Sequence, residues 1–194
     1  MYKQSLAAAI ALASISTSVY AADPAPSGFL EASKATLSSR TMYFRNDTRE
    51  GTANDQEESA QGFLFNFISG YTPGTVGFGL DVQGMTGIHL DGGRGHHPNN
   101  NSFFPSDTDG SSEDQWARIG GNLKARFSKT ELHVGSALAP VLPVVISNDG
   151  RLLPATFDGG IVTSKEITNV TLVAGQLEHF AGRASSNSTG LAVA

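Results

Sequence analysis

Hydrophobic and polar positions alternate with a period of two along much of the chain. Residues 76 to 90 show it most clearly. Val76, Phe78, Leu80, Val82, Ile88 and Leu90 fall on even positions, whereas Asp81, Gln83, His89 and Asp91 fall on odd ones. Such alternation predicts a strand with one apolar and one polar face. Its length is unusual, because soluble strands commonly run five or six residues while a tilted membrane-spanning strand needs about 9–11. The same rule applies to three neighbouring stretches. In 63–71, Phe63, Phe65, Phe67 and Tyr71 share a face opposite Leu64, Asn66 and Ile68. In 118–128, Ile119, Leu123, Ala125 and Phe127 oppose Arg118, Asn122, Lys124, Arg126 and Ser128. In 34–44, Ala35, Leu37 and Tyr43 oppose Lys34, Ser38 and Arg40. Weaker strands are predicted at about 131–138, 159–167 and 170–180, giving seven in all.

The connections alternate in length. Residues 71–75 (Tyr-Thr-Pro-Gly-Thr) form a tight turn whose Pro and Gly supply the dihedrals. Ser128-Lys129-Thr130 and Thr168-Asn169 are two further turns. Between them lie long segments at 45–59, 91–114, 139–158 and from 181 onward. Short turns at one end and long loops at the other are the layout of outer-membrane barrels. Aromatics near the turns (Tyr71, Phe127) and near the long loops (Tyr43, Phe44, Phe180) suit interfacial girdles. A soluble exported β domain that binds a ligand or partner through its loops is the alternative. Long strands, a polar second face and the loop alternation favour the barrel.

The amino terminus predicts export. Lys3 is the only charge in the first 22 residues, Leu6–Ala13 is an apolar run of eight, and Val19-Tyr20-Ala21 places small residues at −3 and −1. These are the three regions of a secretory signal peptide covering residues 1–21. The apolar run is too short to cross a bilayer as a helix, which needs about 20 residues.

Composition narrows the function. The 194 residues carry 13 Lys+Arg, 18 Asp+Glu and no Cys, for a net charge of −5. No basic excess exists to match phosphates, so nucleic acid is not an expected partner. Disulfides and Cys-ligated metal centres are excluded. Charged residues are 16% of the chain, against about 25% in average globular proteins. The 22 Gly and 11 Phe fit a turn-rich β protein and not a disordered one.

No motif for catalysis occurs: there is no G-x-S-x-G, P-loop or H-E-x-x-H. His96-His97, following Asp91-Gly92, reads as solvated loop, because adjacent His side chains rarely converge on one ion and no carboxylate sits at zinc-enzyme spacing. Asp107-Thr108-Asp109-Gly110 through Glu113 matches an EF-hand poorly, since its Gly comes at the fourth position instead of the sixth. No enzyme activity, metal or cofactor is therefore expected. The 139–158 segment stands apart: it is loop-like yet holds Val-Val-Ile, Leu-Leu and three Pro. Such a segment should fold back onto something, and Asp149 and Arg151 would then face a narrowed channel, where opposed charges select permeants. A packed surface loop with a turn at Asn-Asp-Gly is the simpler reading.

Several motifs together resemble the OprD family of outer-membrane porins. They are Gly28-Phe29-Leu30-Glu31, Arg40 through Asn46 (RTMYFRN), Gln61-Gly62-Phe63, Gly70-Tyr71-Thr72 with Gly74 through Gly79, and Leu90-Asp91-Gly92. Ser128 through Leu132, Asn148 through Phe157 and Leu172 through Leu177 extend the match toward the end of the chain. The resemblance implies an all-β, antiparallel transmembrane β-barrel of eighteen strands, of which residues 22–194 are the N-terminal part. It implies passive, moderately selective uptake of small carboxylate-bearing solutes such as amino acids, aromatic acids and some antibiotics. It also implies that the third long loop, here 139–158, folds inward as an eyelet. Asp149 and Arg151 match eyelet positions, and Arg183 matches a position that helps hold the carboxylate. Lys124 and Arg126, on the polar face by periodicity, are added as members of a basic ladder. Outer-membrane lipid and the barrel assembly machinery are the other expected partners. Seven strands cannot close a barrel, and an open edge in lipid leaves backbone groups unpaired at several kcal/mol each. The sequence is therefore expected to be one part of a larger chain or a truncated product.

Overall fold

The computed structural model describes residues 28–47, 49, 55–92, 95–98 and 101–191. Residues 1–21, expected from the sequence to be a signal peptide, lie outside the described residues. No helix is present among them. The long strands are β1 (Lys34–Asn46), β2 (Gln56–Ile68), β3 (Val76–Asp91), β4 (Gln115–Phe127) and β5 (Thr130–Leu138). A two-stranded hairpin, β6 (Val141–Leu142) and β7 (Val145–Ile146), sits inside the next loop. β8 (Thr156–Ser164), β9 (Leu172–Ala181) and β10 (Ser188–Gly190) complete the chain. All but the hairpin form one antiparallel sheet of eight strands in the order β1-β2-β3-β4-β5-β8-β9-β10, so each strand lies beside its neighbour in sequence. β1 and β10 are its open edges, and the barrel is not closed. A 13-residue strand is about 43 Å long, or about 30 Å of membrane thickness when tilted by roughly 45°.

The alternation in the sequence becomes two faces. Leu37, Phe65, Phe78, Ile119, Leu123, Phe127, Leu132 and Val134 stand exposed on the outer face, Ile119 at 78%. An apolar row that large on a soluble protein would drive aggregation, whereas in a membrane it meets acyl chains. The opposite parity is buried: Glu58, Ala60 and Gly62 on β2, Met85 and Gly87 on β3, Trp116, Asn122 and Lys124 on β4. Register then aligns Leu64, Met85 and Arg118 as cross-strand neighbours on this inner face.

Two loops cover the inner face near its long-loop end. Phe103 and Phe104 from the β3–β4 loop and Leu152 and Leu153 from the β5–β8 loop are buried against Ala60, Met85 and Trp116, with Met42, Phe44 and Leu64 beside them. Gly62 makes this approach possible. A Cβ there would lie 3.0 Å from Leu152 Cγ and 3.2 Å from its carbonyl oxygen, so only a bare backbone lets the loop lie on the strand.

The structure departs from the sequence reading in several places. The main sheet has eight strands, because Ser188–Gly190 pairs with β9 where only loop is expected. β2 starts at Gln56, inside the segment assigned to the 45–59 loop; Gln-Glu-Glu-Ser alternates in burial but not in hydropathy, so the pattern hides it. β8 starts at Thr156, which ends the 139–158 loop at residue 155. Phe44 stacks 5.9 Å from Phe103 in the inner cluster, so it is not a free girdle residue, whereas Phe180 lies 5.1 Å from its cross-strand neighbour Phe157. Tyr71 likewise turns inward beneath two cations. His97, read as solvated, is 2% exposed. Its Nδ1 meets Glu58 Oε1, its Nε2 lies 2.8 Å from Ser106 Oγ, and Asn101 Nδ2 donates toward the ring. The charge partner across 39 residues is what sinks this histidine, since a buried carboxylate must be paired.

Candidate functional site

Polar groups on the inner face gather at two levels. The first is at the loop end. Asn148-Asp149-Gly150 forms a tight tip in which Asn148 Oδ1 accepts from Gly150 N at 2.8 Å. The flanks are tied together: Ala155 N donates to Asn148 O at 3.0 Å and Ser147 N to Pro140 O at 2.7 Å. Leu152 and Leu153 anchor the segment in the core. The tip is thereby held against β1, where Arg40 chelates it. Arg40 Nη1 donates to Asp149 Oδ1 at 2.8 Å and Nη2 to Oδ2 at 3.1 Å, while Nη1 also reaches the Arg151 carbonyl at 2.5 Å. Bidentate guanidinium–carboxylate geometry fixes orientation as well as distance.

Arg151 does not pair with Asp149 through its side chain. Its guanidinium lies 4.4 Å over the Phe44 ring, Nη1 donates weakly to Gly150 O at 3.3 Å, and buried Nε has no partner. Arg183, after β9, donates to Asn148 Oδ1 and Ser102 Oγ, both at 3.1 Å. Burial, and then the neighbouring Arg151 charge, lower the Arg183 pKa. Arg40 thus holds the Asp149 carboxylate, while Arg151 and Arg183 lie beside the same loop tip, and the three together leave a net positive patch.

The second level is at the turn end. Lys124, 6% exposed, donates to Asp81 Oδ1 at 2.6 Å and to Ser69 O at 2.7 Å. A Cβ on Gly79 would sit 2.5 Å from Lys124 Cε, so glycine makes the room in which this lysine lies flat. Arg126 stacks 4.2 Å over the Tyr71 ring and stays exposed. His133 Nδ1 lies 3.6 Å from Asp81 and its Nε2 3.9 Å from Glu131. These side chains line a cavity of about 760 Å³. Burial, and then the Glu131 charge, push the Tyr71 hydroxyl up to about 12.

The structure therefore brings Asp149, Arg151 and Arg183 together and sets Lys124 and Arg126 apart from them. Arg118 and Arg126 are eight residues apart on one strand, which is about 26 Å. Lys124 is buried and donates to Asp81 and Ser69, whereas Arg126 is the exposed base at that level. Arg40 is the residue the sequence reading passed over. Its parity opposite Leu37 and Tyr43 already placed it on the inner face, but nothing local announced a partner 109 residues away. Among the described residues no group of three or more His, Asp or Glu side chains is placed to hold a metal ion.

A sheet with an apolar outer face and a charged, loop-filled inner face has matching relatives. A family model described as outer membrane porin, OprD family, matches residues 27–194. The porin-like protein GalP of Pseudomonas putida is 43% identical over 150 residues, covering 77% of this chain and 36% of its own. Two crystal structures from Pseudomonas aeruginosa superpose over 84% of this chain. OccK9 (OpdG) does so with 42% identity and a TM-score of 0.79, and OpdK with vanillate with 38% identity and a TM-score of 0.71. They are covered over 42% and 40% of their own lengths. The chain spans about a third of the length of the curated relatives it matches. The family is one of channels and not of enzymes. From these matches and the sheet they share, this chain belongs to the OprD family of outer membrane porins.

Proposed function

We propose that this chain supplies part of the wall and the narrowing of an outer-membrane channel for small carboxylate-bearing solutes. Arg40, Arg151 and Arg183 draw the carboxylate to the loop end, Asp149 receives a cationic group where the solute has one, and Arg126 with Lys124 continues the positive path toward the turn end. In this reading the 139–155 segment is the eyelet. One observation carries it: Arg40 holds Asp149, and the Arg151 and Arg183 guanidinium groups stand beside that tip with no carboxylate partner of their own among the described residues. An arginine of that kind offers planar, bidentate recognition of a carboxylate. That OpdK was crystallised with vanillate, an aromatic acid, agrees with the solute class. Export through a signal peptide at 1–21 and insertion by the barrel assembly machinery go with the same reading. The test is proteoliposome swelling with the porin that carries this sequence, using benzoate against benzamide as a neutral match in size. Faster swelling with benzoate is the expected result. Equal rates would remove the charge selection from the account.

A further inference from the structure

Arg118 is the one inner-face arginine that stands between the two levels. By parity alone it belongs to the polar face of β4, with Trp116 on one side and Gly120 on the other. Its partners, however, are of another kind. Nη1 donates to the carbonyls of Gly182 and Ser185, both at 2.8 Å. Nη2 donates to the Pro154 carbonyl at 2.9 Å and contacts Met85 Sδ at 3.2 Å. The guanidinium also lies 5.8 Å from the Trp116 ring. No carboxylate neutralises it within ion-pair distance among the described residues. Three of its contacts are backbone carbonyls, from two loops that the β8–β9 pair separates.

Those two loops carry Arg151 and Arg183 of the loop-end patch. Pro154 is three residues after Arg151, and Gly182 immediately precedes Arg183. Carbonyls in loops that pack against a wall need donors, because a buried acceptor left unpaired is destabilising. A guanidinium presents five N–H groups in a fixed plane and so can serve three carbonyls at once. An ammonium has three donors at one point and cannot span the same acceptors.

We propose that Arg118 is a positioning residue: it clamps the 151–154 segment to the 182–185 loop and so sets the spacing of Arg151 and Arg183, through its shape and not through its charge. The inference rests on the reading of the loop-end patch as a narrowing. Two measurements on the porin that carries this sequence separate it from a simple role in the charge path. The first compares R118K and R118Q in planar bilayers, with the heat-modifiable gel band as the check of folding. The clamp predicts that charge-preserving R118K shifts single-channel conductance and lowers benzoate-over-benzamide discrimination at least twofold, as R118Q does. R118K behaving like the parent while R118Q does not would overturn it, and so would no change in either. The second needs no variant. Phenylglyoxal is applied to the folded porin and the modified arginines are read by mass spectrometry. The clamp predicts that Arg118 is protected while exposed Arg126 reacts, and equal rates would overturn it. R151Q and R183Q serve as the reference. If they leave discrimination unchanged, the narrowing itself is misplaced; if they change it and R118K does not, only the clamp fails.

Discussion

Replacing Asp149 by Asn tests the electrostatics of the loop-end patch. The substitution keeps the size of the side chain and removes the negative charge that Arg40 holds, beside Arg151 and Arg183. The local balance goes from two positive charges to three. The tip should stay in place, because Leu152 and Leu153 remain buried and the Asn148 and Ser147 hydrogen bonds do not involve the carboxylate. The Arg40 pair itself is partly exposed, at 35% and 53% of the two side chains, so its loss costs little stability. For a permeant ion passing about 8 Å from the carboxylate, one unit charge contributes about 0.5–1 kcal/mol at an effective dielectric of roughly 40–80, and about half of that survives screening at 0.1 M salt. The anion gains what the cation loses, so anion-over-cation permeability should rise about 2- to 5-fold. The assay is the zero-current potential across a planar bilayer under a KCl gradient, repeated near 1 M, where the screening length of about 3 Å should erase the difference. Unchanged or reduced anion preference at low salt would refute the placement of Asp149. A difference that persists at high salt would show that the loop had moved.

Three further outcomes are expected. L153A leaves a hole in the cluster that seats the tip and should cost about 2–5 kcal/mol; the midpoint of the heat-modifiable transition measures it. E58Q breaks the buried carboxylate–His97 contact and should cost about 3–5 kcal/mol locally, read as faster protease cleavage within the 92–114 loop while the sheet stays folded. Glu166 accepts from Lys129 N at 2.8 Å and from Ser128 Oγ at 3.0 Å, stapling two neighbouring turns. Those hydrogen bonds, the backbone one first, hold its carboxyl below the ordinary 4.5. A depressed folded value stabilises above the unfolded pKa and is lost as pH falls through the folded one. The thermal midpoint of E166Q should thus lie below that of the parent at neutral pH and meet it in acid.

Most of the wall was legible in the sequence, because strand parity is a local property. Ile119 and Leu123 against Lys124 and Arg126 state which face meets lipid, and the turns at 71–75 and 128–130 state which end is short. Strand starts were not legible where both faces are polar, as at Gln56-Glu57-Glu58, since a hydropathy period needs an apolar face to be seen. Loop burial was hidden for the same reason. His97, Phe103 and Phe104 sit in a polar stretch, and their burial follows from partners on β2 and β4 that no local window contains. The candidate site was legible residue by residue and not as an arrangement. Asp149, Arg151 and Arg183 were named, but parity could not foretell that Arg40 chelates the aspartate or that Arg118 spends its donors on loop carbonyls. Lys124 shows the same limit, for parity places it on the inner face but does not announce its pairing with Asp81.

The claim at the centre is that Arg151 and Arg183 meet the carboxylate of a passing solute. The direct measurement is block of single-channel chloride current by benzoate in the porin that carries this sequence, beside its R151Q/R183Q form. The account predicts concentration-dependent block in the parent and at least a fivefold weaker block in the double variant, with the folded gel band intact. Equal block in the two proteins would contradict it.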